Sequence, residues 1–253
     1  MAPTPDTRSE RIARLCAETA LFMRDHVLSR VSHDLRSPLN AIHSWAYVLE
    51  RKIDAVDATA QRALGGIRTG VEQQVQLLEA LVDKTRVETR TLRIDRAPFA
   101  LDALIDEATD DVRVALADAR AVTLTVQCTP TGATVDGDRE RIVQALWLML
   151  MFAVESSAHD GGATLDVSAT AASAHFDVKW TAAPQALTDE ALPHLLEPFA
   201  RAQAREPLEV GRAAWVLSLC QRVAEAHGGH FEQQPLTEGE TTALVLTLPL
   251  APA

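Results

Sequence analysis

At 253 residues, with 47% hydrophobic and 23% charged side chains, the chain is long enough for one or two domains with a proper core. A formal net charge of -11 argues against a surface built for nucleic-acid phosphates. Aromatics make up only 4%, which leaves the core to Ala, Leu and Val and suits packed helices. Cys16, Cys128 and Cys220 lie far apart with no CxxC pair, which excludes a disulfide framework and a zinc site and fits idle thiols in a reducing cytoplasm. The lead-in MAPTPDTRSE has no basic-then-apolar signal pattern and reads as a flexible stretch over residues 1–10. No apolar run has the length of a membrane span, so a cytoplasmic protein without membrane or nucleic-acid partners is expected.

Residues 8–52 carry one long helical pattern, interrupted only by Pro38. Leu21, Leu28, Leu35, Ile42 and Leu49 recur every seventh residue, with Val31, Leu39 and Ala46 in the other seam position. Such a heptad pattern asks for a partner helix. After the polar joint KIDAVDA, a second helical pattern covers residues 59–89, its stripe running through Leu64, Ile67, Val71, Val75, Leu78 and Leu81. Two long amphipathic helices with a short connection predict an antiparallel hairpin. One hairpin buries one stripe per helix, so two hairpins pairing as a four-helix bundle would complete the core.

RTLRIDRAPFAL reads as a linker, and the pattern then changes. Residues 101–116 look helical, residues 121–128 alternate like a strand, and Asp138 suits an N-cap. Residues 142–154 are almost wholly apolar, which predicts a buried helix. ATLDVSAT and AHFDVKWTA read as a strand pair after a Gly161-Gly162 turn. A helix over residues 216–226 stops at Gly228-Gly229, and TTALVLTLPL closes as a strand. The second half is therefore expected to be a layered α/β domain with helices on one face of a sheet.

Within the first helix, the stretch VSHDLRSPLNAI raises a chemical question. On a wheel of about 100° per residue, seam residues 28, 31, 35, 39, 42, 46 and 49 fall within roughly 80°, and His33 lies about 160° from their centre. Ser37, Asn40 and Ser44 share that outer face. Taken alone, an exposed helical histidine reads as a solvated residue, but an outward imidazole can also attack a phosphoryl group. The order H-D-L-R-S-P-L-N resembles the phosphoacceptor box of bacterial sensor histidine kinases, whose dimerisation domain is such a hairpin. The resemblance implies that His33 is the phosphorylated residue and Asp34 the neighbouring acid that helps the chemistry. It places Ser37 at a position that aids dephosphorylation of a receiver, and Asn40 at an accompanying one.

The second half resembles the ATP-binding domain of the same family, with the polar positions altered. In DGDRERIVQALWLMLMFAVESS, Leu148 and Phe152 stand where that family has asparagines, and Glu155 where it has a basic residue. Trp180 stands at the aspartate of the adenine-binding turn, with Ala182 and Pro184 at or next to its glycines. LPHLLEPFARA still matches the box around a phenylalanine. In VGRAAWVLSLCQRVAEAHGG, Arg212, Ala214 and Val216 replace phosphate-cradling glycines, leaving Gly211. A Trp cannot accept a hydrogen bond from the adenine amine, Cβ atoms obstruct a phosphate cradle, and Leu and Phe offer magnesium no oxygen. The remaining polar groups read as structural: His227 as a helix cap, His159, Asp160, His175 and Asp177 in a loop and a strand, and Asp106, Glu107, Asp110 and Asp111 as a solvated helix face.

The expected fold is α+β. Residues 11–92 would form the dimerisation and histidine phosphotransfer hairpin, a four-helix bundle as a homodimer. Residues 98–253 would form a degenerate kinase-type, ATP-binding-like α/β sandwich. The expected function is histidine phosphotransfer in a two-component phosphorelay, with His33 exchanging phosphate with receiver aspartates and autokinase activity absent. Response-regulator receiver domains are the expected partners, docking on Arg36 and Asn40 and bringing their own Mg²⁺, so that the chain needs no cofactor or metal. The alternative is a non-catalytic pseudo-histidine kinase acting by binding; an active kinase with an unusual nucleotide pocket is the least expected.

Overall fold

A computed structural model of the chain describes residues 5–52, 57–86, 92–129, 134–170, 172–207 and 213–250. The residues gather into two compact units: Met1–Met23 with Leu92–Ala253, and Arg24–Thr91. Gly211 and Arg212 of the last glycine-rich box lie outside the described residues.

Helix α1 spans Pro5–Glu50 and α2 spans Ala58–Arg86. Asp57 caps α2, its Oδ1 accepting the N–H groups of Thr59 and Ala60 at 3.1 and 2.9 Å. Ion pairs Arg36–Glu79 and Glu50–Arg68, with a 3.7 Å His43–Glu72 contact between them, descend α2 as they climb α1, which fixes the antiparallel hairpin. Pro38 does not break α1. It only removes the N–H that would bond the Asp34 carbonyl, and the turns on either side keep the helix going.

The seam divides differently from the expected stripe. Leu39 and Ala46 are buried, as are Leu64, Val71 and Val82 on α2, whereas Val31, Leu35, Ile42 and Leu49 remain 41–48% exposed. The reason is geometric: a single partner helix covers only one side of a wide stripe. The other side stays open on both helices, where Trp45, Ile67, Leu77 and Leu81 are also exposed.

The α/β unit is built on a five-stranded sheet of order β2-β4-β5-β7-β6, from strands Thr123–Thr129, Gly162–Ala169, Ser173–Thr181, Thr241–Pro249 and His230–Gln233. β2 runs parallel to β4 and the other neighbours are antiparallel. β1 (Ala97–Ala100) and β3 (Thr134–Gly137) form a separate antiparallel pair. Period-two alternation gives the main sheet one apolar face, where Leu165, Val178 and Leu244 align in one row and Val167, Phe176 and Leu246 in the next. The other face is polar, with Lys179 bonded to Asp166 at 2.6 Å.

Helix α3 (Leu101–Val112) continues into a π-helical turn and a 3₁₀ turn before Ala121 takes a left-handed conformation, so the expected helix is regular only to Val112. Helix α4 (Arg139–Glu155) starts at Asp138, whose side chain accepts the Arg141 N–H, and is buried without interruption from Ile142 to Glu155. Helix α5 (Pro198–Arg205) and then α6 (Ser218–Ala226) follow. α6 ends in a Schellman motif: Gly228 has φ +75°, and the Gly229 N–H donates to Ala224 O at 2.8 Å. His227 caps that end as expected; its ring also donates to Val223 O and accepts the Asp138 N–H, tying α6 to the start of α4.

At the N-terminus, residues 1–4 lie outside the described residues. Residues 5–10 are helical, and Arg8 and Arg11 pair with Asp111, which is only 4% exposed. Arg11 and Arg139 both pair with Glu107. The acids of α3 are therefore not simply a solvated face. Opposite charge at Arg8 and Arg11 on α1 pairs with two of them, Glu107 and Asp111.

Candidate functional site

His33 sits on α1 with its side chain 74% exposed. The Asp34 carboxylate can only accept, so the 3.1 Å contact between them is a Nδ1–H donated to Asp34 Oδ1. That tautomer leaves the Nε2 lone pair outward, the arrangement of an oriented nucleophile. Arg30 Nε lies 3.7 Å from the other Asp34 oxygen. Ser37 and Asn40 are exposed one and two turns further along, and Ser44 Oγ donates to the Asn40 carbonyl at 2.9 Å. Arg36 is half-exposed and donates to Glu79 at 2.9 Å, so its guanidinium already has an acidic neighbour on α2. His33, Asp34, Ser37 and Asn40 thus lie on one continuous outer surface of α1.

In the α/β unit the polar positions of a nucleotide site are filled from within. Leu148 and Phe152 are fully buried on α4. Phe152 meets Trp180 of β5 edge-on, with ring centroids 6.2 Å apart. The aromatic pair puts a packed apolar contact where carboxamide and carboxylate oxygens would face a ligand. Glu155 turns inward as well. It is fully buried, accepts the Leu195 and Leu196 N–H groups at 2.7 and 2.8 Å, and lies 2.8 Å from His194 Nδ1. Arg120, also fully buried, donates to the carbonyls of Pro193 and Glu155.

Ala182 and Pro184 are buried, and the Ala183 N–H donates to Ser156 O at 2.7 Å, pinning that turn to the end of α4. Near Ala214 and Val216, backbone donors are taken by side chains: Ala214 N–H by Gln233 at 2.6 Å and Trp215 N–H by Gln203 at 2.9 Å. A phosphate needs such N–H groups unengaged and approachable. Around Leu148, Phe152, Trp180 and Val216 the described residues present packed side chains and engaged backbone donors. Among the described residues no group of three or more His, Cys, Asp or Glu could hold a metal ion, and no helix is long and apolar enough to cross a membrane.

Residues 23–90 match the His Kinase A (phospho-acceptor) domain. Residues 137–252 match the histidine kinase-, DNA gyrase B-, and HSP90-like ATPase domain. The crystal structure of a histidine kinase from Burkholderia phymatum STM815 is 52% identical, superposes with a TM-score of 0.79, and matches over 96% of this chain and 99% of that one. The chain belongs to the histidine kinase family of two-component systems. Two curated relatives from Caulobacter vibrioides are sensor protein DivL, 25% identical over 90% of this chain, and histidine protein kinase DivJ, 26% identical over 95% of it. The chain spans 29% and 40% of their respective lengths.

Within this histidine kinase fold, the residues singled out in the sequence fall into two groups, one in each unit. His33, Asp34, Arg36, Ser37 and Asn40 belong to the hairpin unit; Leu148, Phe152, Glu155 and Trp180 belong to the α/β unit. What the sequence reading missed is how the second group is held. That Glu155 anchors residues 194–196, and that Gln203 and Gln233 occupy backbone donors, left no signal in spacing or composition. The one available hint was an acid placed at the end of an otherwise apolar helix, which has to find donors if it is buried.

Proposed function

We propose that the chain is a histidine phosphotransferase of a two-component phosphorelay, in which His33 exchanges phosphate with receiver aspartates and ATP is not the donor. The observation that supports this reading is the Phe152–Trp180 contact, a packed aromatic pair at positions the family resemblance assigns to nucleotide recognition, while His33 stays exposed. His33 Nε2 attacks the phosphorus of a receiver phosphoaspartate. The N–P bond forms, the acyl O–P bond breaks, and the receiver carboxylate leaves. The Nδ1–H stays bonded to Asp34, whose negative charge offsets the charge that develops on the ring. Ser37 and Asn40 border the entering group, and the reverse step returns the phosphoryl to another receiver. The receiver brings its own Mg²⁺, so the hairpin supplies only the nucleophile, its orientation and the docking face.

A homodimer is part of this proposal. Leu35, Ile42 and Leu49 form an exposed heptad row, and Ile67 and Leu81 on α2 are exposed too, which is the surface a second hairpin would cover. Leu35→Asp places a charge in that row and is expected to shift the protein to monomer in sedimentation analysis; an unchanged dimer would contradict the bundle.

The direct test mixes the full chain with receiver domains carrying ³²P on aspartate, without ATP. Acid-labile label should appear on the wild type and not on His33→Gln. If wild type takes none, the phosphotransferase reading fails and a purely binding pseudokinase is left.

A further inference from the structure

The five-stranded sheet has two edges, and they are built differently. β6 is four residues long and carries His230 and Glu232, a short, charged edge of the kind that keeps foreign strands off. β2 is seven residues long, TLTVQCT, with no charge, proline or glycine. It pairs with β4 residue for residue from Thr123 to Thr129, so no bulge turns its outer side away. Such an edge is left undefended in a chain whose net charge is -11.

The outer side of β2 is open. Thr123 N–H donates at 2.9 Å to the carbonyl of Gly161, the residue before β4. Alternation along the strand therefore turns the N–H and C=O groups of Leu124 and Val126 away from β4. The π-helical turn meets the start of the strand, where Val122 N–H donates to Ala117 O at 3.0 Å. Further along, Val126 is 38% exposed, although it is paired with the fully buried Leu165 in one apolar row. On the other face Thr123, Thr125 and Gln127 are all exposed.

Symmetry decides what fits. A two-fold axis through Thr125, perpendicular to the sheet, sets β2 antiparallel to β2 of another chain. Leu124 then stands opposite Val126 of the second copy, and their outward N–H and C=O groups exchange hydrogen bonds. Apolar side chains meet on one face. On the other, Thr125 meets its own copy and Thr123 meets Gln127, with no like charges opposed. An edge with a glutamate near such an axis would bring two carboxylates together; β2 has nothing to repel its copy.

We propose that β2 is a self-docking edge, through which two copies of the chain join their five-stranded sheets into one. The surface lies in the α/β unit, apart from the exposed heptad row of the hairpin, and is independent of where His33 obtains its phosphate. A strand pair this short stays below the roughly 1,000 Å² of a stable interface. It therefore joins concentrated chains and leaves dilute sedimentation to the hairpin. Two self-complementary surfaces on one chain link dimers into larger assemblies.

The test is disulfide cross-linking of the full chain in a Cys128→Ser background, which removes the exposed native thiol. Thr125→Cys puts a thiol on the axis, at a non-hydrogen-bonded pair whose Cβ atoms come within disulfide reach. Glu232→Cys puts one on the exposed β6 edge, as the control for random collision. At about 0.5 mM chain under mild oxidation, Thr125→Cys should form covalent dimer about tenfold faster than Glu232→Cys. Adding Val126→Lys sets a charge on the edge and should bring the Thr125→Cys rate down to the control, with the melting temperature unchanged. The proposal is overturned if Thr125→Cys cross-links no faster than Glu232→Cys, the result expected if the edge serves a segment of a different protein. It is equally overturned if folded Val126→Lys leaves the Thr125→Cys rate undiminished.

Discussion

On α1 the residues of the histidine box face outward: His33 is exposed, Asp34 orients its ring, and Ser37 and Asn40 extend the same polar surface. On α4 the corresponding set of family positions, Leu148, Phe152 and Glu155, is fully buried. One helix keeps polar groups where a partner can reach them, and the other packs apolar side chains and one acid into the core. The lesson concerns what each surface has to recognise. A nucleotide pocket must hold oxygens and free N–H groups inside a cleft, where each unpaired polar group is unfavourable. Apolar side chains packed together carry no such penalty. The outer face of α1 has no such pressure, since water satisfies its polar groups.

The contrast can be broken most sharply on the α1 side. His33→Gln removes the nucleophile while keeping a polar residue on an exposed helix, and should lower phosphoryl acceptance by on the order of 10⁴-fold. Its melting temperature should match wild type. Next comes the α4 side. Phe152→Ala should cost about 3–5 kcal/mol, through lost contacts with Trp180 and the cavity left behind. Phe152→Asn, which restores the family residue, should cost at least as much, because a carboxamide would be buried with apolar neighbours. Chemical denaturation measures both, and an Asn variant as stable as wild type would mean that position 152 is not core.

Asp34→Asn sharpens the first half of the comparison. A carboxamide can still contact His33 but carries no charge to offset the imidazolium, so transfer should slow by about 10- to 100-fold with receiver binding unchanged. Stopped-flow transfer rates check this. The smallest effect lies at Glu107. Burial alone would raise its carboxyl, but hydrogen bonds from Arg139 and Arg11 and their charges outweigh it and hold the group below the ordinary glutamate range. A lowered folded value means stability that is fully present above the ordinary value and lost as pH falls through the folded one. Glu107→Gln should therefore be less stable at pH 7 by a few tenths to about 1 kcal/mol, allowing for partial exposure. The difference should close as the pH drops below the glutamate range, and melting curves from pH 7 to pH 3 follow it.

Periodicity made the large elements legible. The seven-residue repeat and the apolar run at 142–154 set the hairpin and α4, and the wheel put His33 outward without any knowledge of α2. Asp138 and Gly228 marked helix ends because N-caps and left-handed C′ positions have strong residue preferences. Resemblance to the family boxes then directed attention to Leu148, Phe152 and Trp180, whose burial the structure shows. What stayed illegible depends on tertiary placement. β1, β3 and β6 have four residues each, too few for an alternating pattern to register. Arg8 and Arg11 look like ordinary surface charges until α3 presents Glu107 and Asp111 to them. Thr19 looks like a helix-surface threonine until it is found 2% exposed. The width of the α1 stripe was readable, but not which side of it α2 would cover.

The central claim is that phosphate reaches His33 from a receiver aspartate and not from ATP. The most direct measurement presents the wild-type chain with each donor in parallel, [γ-³²P]ATP with Mg²⁺ or ³²P-labelled receiver, and follows acid-labile label on His33 over time. The account predicts rapid labelling from the receiver and none from ATP. Labelling of His33 by ATP would contradict it, because Phe152 and Trp180 would then have to part to admit a nucleotide.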